Sequence, residues 1–208
     1  MGGNLGSIDN NTHQKDNSPL LNITLSKLRE FFGSFKSVCD NFSIDLIEFE
    51  QIFGANESSF VVWDVDKNGL IDALELFSGL ILFSDSKFED KIRFLFDLFD
   101  LNELNSLAPI DVEFMIYSCI SSTFKIFGVK QEVKVDEISS FVEANFKPHL
   151  RFNITELIEF SWKNEKVQKF FAIIKKEPEE LPNGPIKMTA KQPADTGFGQ
   201  KGTSLGDA

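Results

Sequence analysis

One stretch of twelve residues decides the fold: the chain reads DVDKNGLIDALE from Asp64 to Glu75. Side chains that carry oxygen stand at positions 1, 3, 5, 9 and 12 of this stretch, and a glycine stands at position 6. A hard divalent cation takes six or more oxygen ligands at about 2.3–2.6 Å. This spacing therefore predicts a loop that wraps a calcium ion, with one helix entering it and another leaving it.

Each position of the loop has a chemical role in an EF-hand, the helix–loop–helix unit that binds calcium. Gly69 supplies the positive φ of the sharp turn, and Ile71, at position 8, pairs with its counterpart in a neighbouring loop. The predicted metal ligands are the side chains of Asp64, Asp66 and Asn68, the backbone carbonyl of Leu70, Asp72 through a water, and both carboxylate oxygens of Glu75. We expect one calcium ion per chain.

A second copy of this frame begins 36 residues further on, at Asp100. Only Asp100 and Asn102 keep useful oxygens there. The other key positions have changed. Position 5 is Leu104, position 9 is Ala108 and position 12 is Asp111, one methylene shorter than Glu, while Asn105 replaces the turn glycine at position 6. The sequence predicts the shape of a hand without tight calcium.

Upstream of the intact loop, a first hand is predicted with Ile44 at position 8 and Glu48 at position 12. Its loop carries a lysine, Lys36, at position 1, so this hand should not bind calcium. Because a single helix–loop–helix cannot bury its own apolar face, the first and second hands should pair, with Ile44 against Ile71.

Downstream, a fourth hand has Phe152 at position 8 and Glu156 at position 12. Lys147 and Arg151 occupy ligand positions in that loop and should repel a cation, and His149 is interpreted as structural or solvated. The third and fourth hands should pair through Leu107 and Phe152.

The predicted fold is all-α, with four EF-hand-like units in two paired lobes between two flexible tails. Ser43 is predicted to cap a helix, and Ser86 with Glu89 and Asn153 with Glu156 form predicted capping boxes. The predicted segments are a tail at 1–20, the first hand pair at 21–84 with the loop at 64–75, the second pair at 85–175 with degenerate loops, and an extended Pro/Gly-rich tail at 176–208.

Composition narrows the classes of function. The chain of 208 residues has a formal net charge of −11. Nucleic acid is therefore not expected as a partner, because its binding requires basic patches. We expect no signal peptide and no transmembrane helix. Cys39 and Cys119 are read as free thiols of a reducing compartment. A cytoplasmic location is expected, with the axoneme of a cilium or flagellum as an alternative.

The junction at residues 78–102, which includes SGLILFS at 78–84 and FDLFDLN at 96–102, resembles a branch of the EF-hand superfamily. The branch comprises calcineurin B, the neuronal calcium sensors and the calcium-and-integrin-binding proteins, and includes calaxin-like axonemal proteins. The resemblance implies a hydrophobic groove that grips a partner helix. Gly2 invites myristoylation, but Gly6 stands where that motif needs Ser or Thr, so membrane contact is expected only if Gly2 is lipidated.

Two functions follow from these features. The first is a noncatalytic, calcium-binding adaptor or regulatory subunit that holds a protein partner in an apolar groove and along the C-terminal tail. The alternative is a structural EF-hand component of a large cytoskeletal or axonemal assembly with little calcium switching. An enzyme is not expected, because the chain has two histidines and no Gly-rich phosphate loop or nucleophile elbow.

Overall fold

The computed structural model describes Leu20 and residues 23–55, 57–146 and 150–174. The predicted tails, Gly2, Lys147 and His149 lie outside the described residues. The described elements are α1 (Leu25–Val38), β1 (Ser43–Ile44), α2 (Leu46–Phe53), α3 (Glu57–Trp63), β2 (Ile71–Asp72), α4 (Ala73–Phe83), α5 (Phe88–Phe99), α6 (Pro109–Ile126), α7 (Val135–Asn145), α8 (Ile154–Lys163) and α9 (Glu165–Ile174). The predicted all-α EF-hand fold is confirmed.

The loops pair as the sequence predicts. β1 and β2 form an antiparallel pair in which Ile44 lies opposite Ile71. In the other half, Leu107 and Phe152 form an isolated antiparallel bridge, with N–H to O=C distances of 2.9 and 2.8 Å. Each pairing joins position 8 of two loops, so the hands are tied two by two.

The helix starts correct two of the sequence predictions. Ser43 does not cap a helix, because it lies in β1 and Asp45 instead accepts from the backbone N–H of Glu48. Ser86 does not cap α5 either, since that helix begins at Phe88 and the residue before it makes no side-chain cap. The capping box of Asn153 and Glu156 is confirmed.

Phenylalanine builds much of the core. Phe77 is fully buried on α4, and its ring centroid lies 5.2 Å from that of Phe32, 5.7 Å from Phe35 and 5.8 Å from Phe53. Edge-to-face and tilted pairs at these distances stabilise a core beyond the area that they bury. The first two helices are thus held around the helix that leaves the predicted calcium loop.

The two hand pairs meet where α4 packs against α6, with α3 beside them. Gly79 permits this close approach: a Cβ built on it would lie 2.5 Å from the ring of Trp63 and 3.0 Å from Cβ of Ser122. Trp63 is buried. The helices that leave the second and third loops therefore form one packed unit. Within the described residues, no helix is long and apolar enough to span a membrane.

Candidate metal centre

The backbone of loop 64–75 is folded around its first carboxylate. Asp64 is buried, and its two oxygens accept from the N–H groups of Asn68 at 3.0 Å and Gly69 at 3.1 Å. Lys67 and Gly69 both adopt positive φ, 59° and 82°. These features turn the chain sharply at position 6, so the ligand-bearing positions face the inside of one tight turn.

The second half of the loop runs directly into α4. Asp72 lies at the end of β2 and caps the helix, its side chain accepting from the N–H of Glu75 at 2.9 Å. Burial raises the pKa of the Asp72 carboxyl, and the hydrogen bond from Glu75 acts in the opposite direction. The side chain of Leu70 is 47% exposed, which suits a position whose carbonyl is the useful group.

The ligand side chains are engaged with protein groups. Asn68 donates from Nδ2 to Asp66 Oδ2 at 2.9 Å, and its own Oδ1 accepts from the N–H of Leu70 at 2.8 Å. Among the described residues, no three carboxylate, histidine or cysteine side chains converge into a ready-made cage. The donor set suits calcium in its chemistry, and these internal bonds must rearrange for all six positions to reach one ion.

Glu75 has the feature that fits a cation best. Its residue is 9% exposed, and its Oε2 atom lies 2.6 Å from Nζ of Lys125, on α6. The buried carboxylate of Glu75 is thus neutralised by a cationic side chain from another helix. In an EF-hand, calcium takes both oxygens of the carboxylate at position 12.

The position-12 carboxylates of the other three loops are used differently. Each reaches back to the backbone N–H three residues earlier and so closes the start of its exiting helix. Glu48 accepts from Asp45 at 2.9 Å, Asp111 from Ala108 at 2.7 Å and Glu156 from Asn153 at 3.0 Å. These carboxylates serve as helix caps, whereas the Glu75 carboxylate turns toward a cation.

Loop 100–111 has nearly the same backbone as loop 64–75. The oxygens of Asp100 accept from the N–H groups of Leu104 at 3.0 Å and Asn105 at 2.7 Å. Glu103 and Asn105, at positions 4 and 6, take positive φ of 53° and 52°. The predicted shape of a hand is present here, although the loop has lost ligand residues, as the sequence shows.

The guanidinium of Arg151 binds polar groups of this third loop. Arg151 donates from Nε to the hydroxyl of Ser106 at 2.8 Å and from Nη2 to the carbonyl of Ser106. The same Nη2 lies 3.7 Å from Oδ2 of Asp111. Sequence analysis placed Arg151 in the fourth loop as a residue that repels a cation; the structure directs it into the third loop, onto the carbonyl of position 7 and the carboxylate of position 12.

Sequence reasoning missed Lys125 and the reach of Arg151. No local pattern marks Lys125, because it lies on the exiting helix of a different hand. Arg151 could have been found, since the pairing of Leu107 with Phe152 brings the neighbours of both residues together across the two loops.

Comparison with known proteins relates the chain to EF-hand proteins at low sequence identity. No family model matches the chain. A calcium and calcium/calmodulin-dependent serine/threonine-protein kinase of Pisum sativum is 25% identical over 133 residues, 57% of this chain and 24% of the kinase. Guanylyl cyclase-activating protein 1 of Gallus gallus is 28% identical over 97 residues, 42% of this chain and 49% of that protein.

Guanylyl cyclase-activating protein 1 of Lithobates pipiens is similar at 24% identity over 108 residues, 47% of this chain and 49% of the relative. The chain thus spans about half the length of the activating proteins and about a quarter of the kinase that it matches. Together, the fold and these relatives support the EF-hand superfamily.

Proposed function

We propose that this chain is a noncatalytic calcium-binding protein that takes one calcium ion at loop 64–75 and regulates a protein partner as an adaptor or regulatory subunit. The observation that carries the proposal is the Glu75 carboxylate. It is buried, it faces a cation, and of the four position-12 carboxylates, all of which are described, it is the one that does not bond the N–H three residues before it.

The residues that would hold the ion are the six that the sequence predicts. Asp64, Asp66, Asn68 and Asp72 supply side-chain oxygens, Leu70 its carbonyl and Glu75 both carboxylate oxygens. Bound calcium supplies a positive charge that draws these oxygens together. For Glu75 to contribute both oxygens, its contact with Lys125 must break, and Glu75 lies in the first turn of α4.

Support for a regulatory role comes from the relatives. Two of them are named for the activation of guanylyl cyclase, and the resemblance to the calcineurin B and neuronal calcium sensor branch implies the same kind of role. The partner is proposed to be a protein helix. In the C-terminal half, α9 already covers the apolar groove with Val167 and Phe170, so a partner helix entering there would have to displace α9.

A structural role in a cytoskeletal or axonemal assembly is the second proposal, and the third loop favours it. Arg151 closes that loop without calcium, so half of the molecule is built to stay in one state. The two roles differ in reversibility, since a regulator should rearrange with calcium and a structural part should not.

The emission of Trp63 tests the proposal and separates the two roles. Trp63 precedes the loop by one residue and packs beside Gly79. Trp162→Phe removes the other tryptophan, which is 51% exposed on α8. Calcium binding with a clear emission shift and new binding of an apolar dye supports the regulator. Calcium binding without either supports the structural role, and no calcium binding contradicts both forms of the proposal.

A further inference from the structure

The contact between Lys125 and Glu75 joins two different hands. Lys125 lies in the last turn of α6, the helix that leaves the third loop, whereas Glu75 lies in the first turn of α4. Their side chains are 24% and 11% exposed, and 2.6 Å separates the charged atoms. This pair is far less accessible to solvent than the ion pairs of Lys163 with Glu159 or Lys134 with Glu137.

Packing holds the lysine at this place. Ser122, one turn before Lys125 on α6, lies against Gly79 of α4, so the close contact of α4 with α6 fixes where the lysine stem begins. A cation in the last turn of a helix is also stabilised by the helix dipole. The ammonium group therefore stays near the loop without depending on Glu75 alone.

The chemistry of the lysine makes this pair replaceable. Glu75 Oε2 and Lys125 Nζ lie 2.6 Å apart and carry opposite charges. A lysine ammonium acts as a point charge on a flexible stem. Such a partner can withdraw into solvent, where water hydrates the ammonium group, and a divalent cation can take the carboxylate in its place.

We propose that Lys125 is a tethered cation that neutralises Glu75 when calcium is absent and competes with calcium for it. This inference rests on the proposed calcium site at loop 64–75. Lys125 thereby sets the affinity of the site. Because coupling between two binding events is reciprocal, calcium also loosens the last turn of α6 from α4 and carries the signal of the second hand into the third.

Calcium titration of the full chain tests the competition. Lys125→Met keeps the apolar stem and removes the charge, and it should tighten calcium binding at least about fivefold, the upper factor for a fully exposed ion pair, because this pair is less accessible to solvent. Lys125→Arg keeps the charge and should not tighten it. Lys163→Met, which removes a lysine from an exposed pair on α8, is the matched control and should leave the affinity unchanged.

The outcomes separate this inference from the proposed function. If the native chain and Lys125→Met bind calcium equally well, Lys125 is not a competitor and the inference alone is wrong. The same holds if Lys163→Met tightens binding as much as Lys125→Met, because net charge then explains the effect. If neither chain binds calcium, the proposed site is wrong and the competition falls with it.

A double-mutant cycle in chelator tests the ion pair without calcium. The unfolding free energies of the native chain, Lys125→Met, Glu75→Gln and the double variant are compared by chemical denaturation. Lys125→Met should destabilise the native chain more than it destabilises Glu75→Gln, since the first leaves a buried carboxylate without its cation. Additive effects would show that the two side chains do not interact.

Discussion

Loops 64–75 and 100–111 share a backbone and differ in the cation that their position-12 carboxylate meets. In both, the aspartate at position 1 accepts from the N–H groups of positions 5 and 6, and positions 4 and 6 take positive φ. In one loop a lysine point charge stands beside Glu75; in the other, Arg151 bonds a hydroxyl and a carbonyl and lies near Asp111.

The shape of a calcium loop and its affinity for calcium are therefore separate properties. The shape depends on the first aspartate and on a turn that Gly or Asn can make. The affinity depends on how many oxygens remain and on what already neutralises them. A guanidinium held by several hydrogen bonds is hard to replace, whereas a lysine ammonium on a flexible stem is easier to replace.

The largest expected effect contrasts the two position-12 carboxylates. Glu75→Gln removes the charge and the bidentate closure of the intact loop, so calcium binding should weaken about a hundredfold or more. Asp111→Asn changes the equivalent position of the third loop and should leave calcium affinity unchanged. Isothermal titration measures the calcium affinity of both variants. A loss of binding in Asp111→Asn would show that calcium binds loop 100–111 instead of loop 64–75.

The next prediction attempts to convert the third loop into the second. Leu104→Asp, Ala108→Asp and Asp111→Glu restore the missing ligands, and Asn105→Gly restores the glycine of the turn, on a backbone already in the right shape. These four changes should create a weak second calcium site, and adding Arg151→Met should tighten it about tenfold, because a charge-assisted partner no longer competes. A second site that is equally tight with Arg151 in place would contradict the role given to the guanidinium.

A third prediction concerns the contact that joins the two hands. Gly79→Ala places a Cβ 2.5 Å from the ring of Trp63, so it should lower the free energy of unfolding by about 2–3 kcal/mol. Gly33→Ala is the matched control on α1, where nothing lies within 4 Å of the new methyl group, and it should stabilise the chain by up to about 1 kcal/mol. Chemical denaturation compares them; equal effects would mean that α4 and α6 are not closely packed.

The smallest effect concerns the thiols. Burial raises the pKa of Cys119, on α6, to about 12, and burial with nearby Glu48 raises that of Cys39 to about 11. Both thiols stay protonated at pH 8, so both should react slowly in the native chain, and the buried Cys119 more slowly than the half-buried Cys39. Labelling with a chromogenic disulfide measures the rates, and rapid labelling of Cys119 would show that α6 opens readily.

Much of this architecture can be predicted from the local sequence. The spacing from Asp64 to Glu75 predicts the loop, and the apolar residue at position 8 predicts the strand partners, because both depend on residues close along the chain. Helix starts follow less directly from the local sequence. Ser43 pairs in β1 and Ser86 lies before the first residue of α5, so neither residue caps a helix. The cations at Glu75 and Asp111 come from other hands. Lys125 follows only from packing, whereas Arg151 follows from the pairing of Leu107 with Phe152.

The stoichiometry of calcium binding tests the central claim most directly. Isothermal titration of the full chain in chelator-treated buffer should give one calcium ion per chain with a dissociation constant below about 1 mM, a range that EF-hand loops span. Loop 64–75 has the ligands and an exchangeable lysine, while loop 100–111 has lost ligands and holds Arg151. Two or more such sites, or none, would contradict the account.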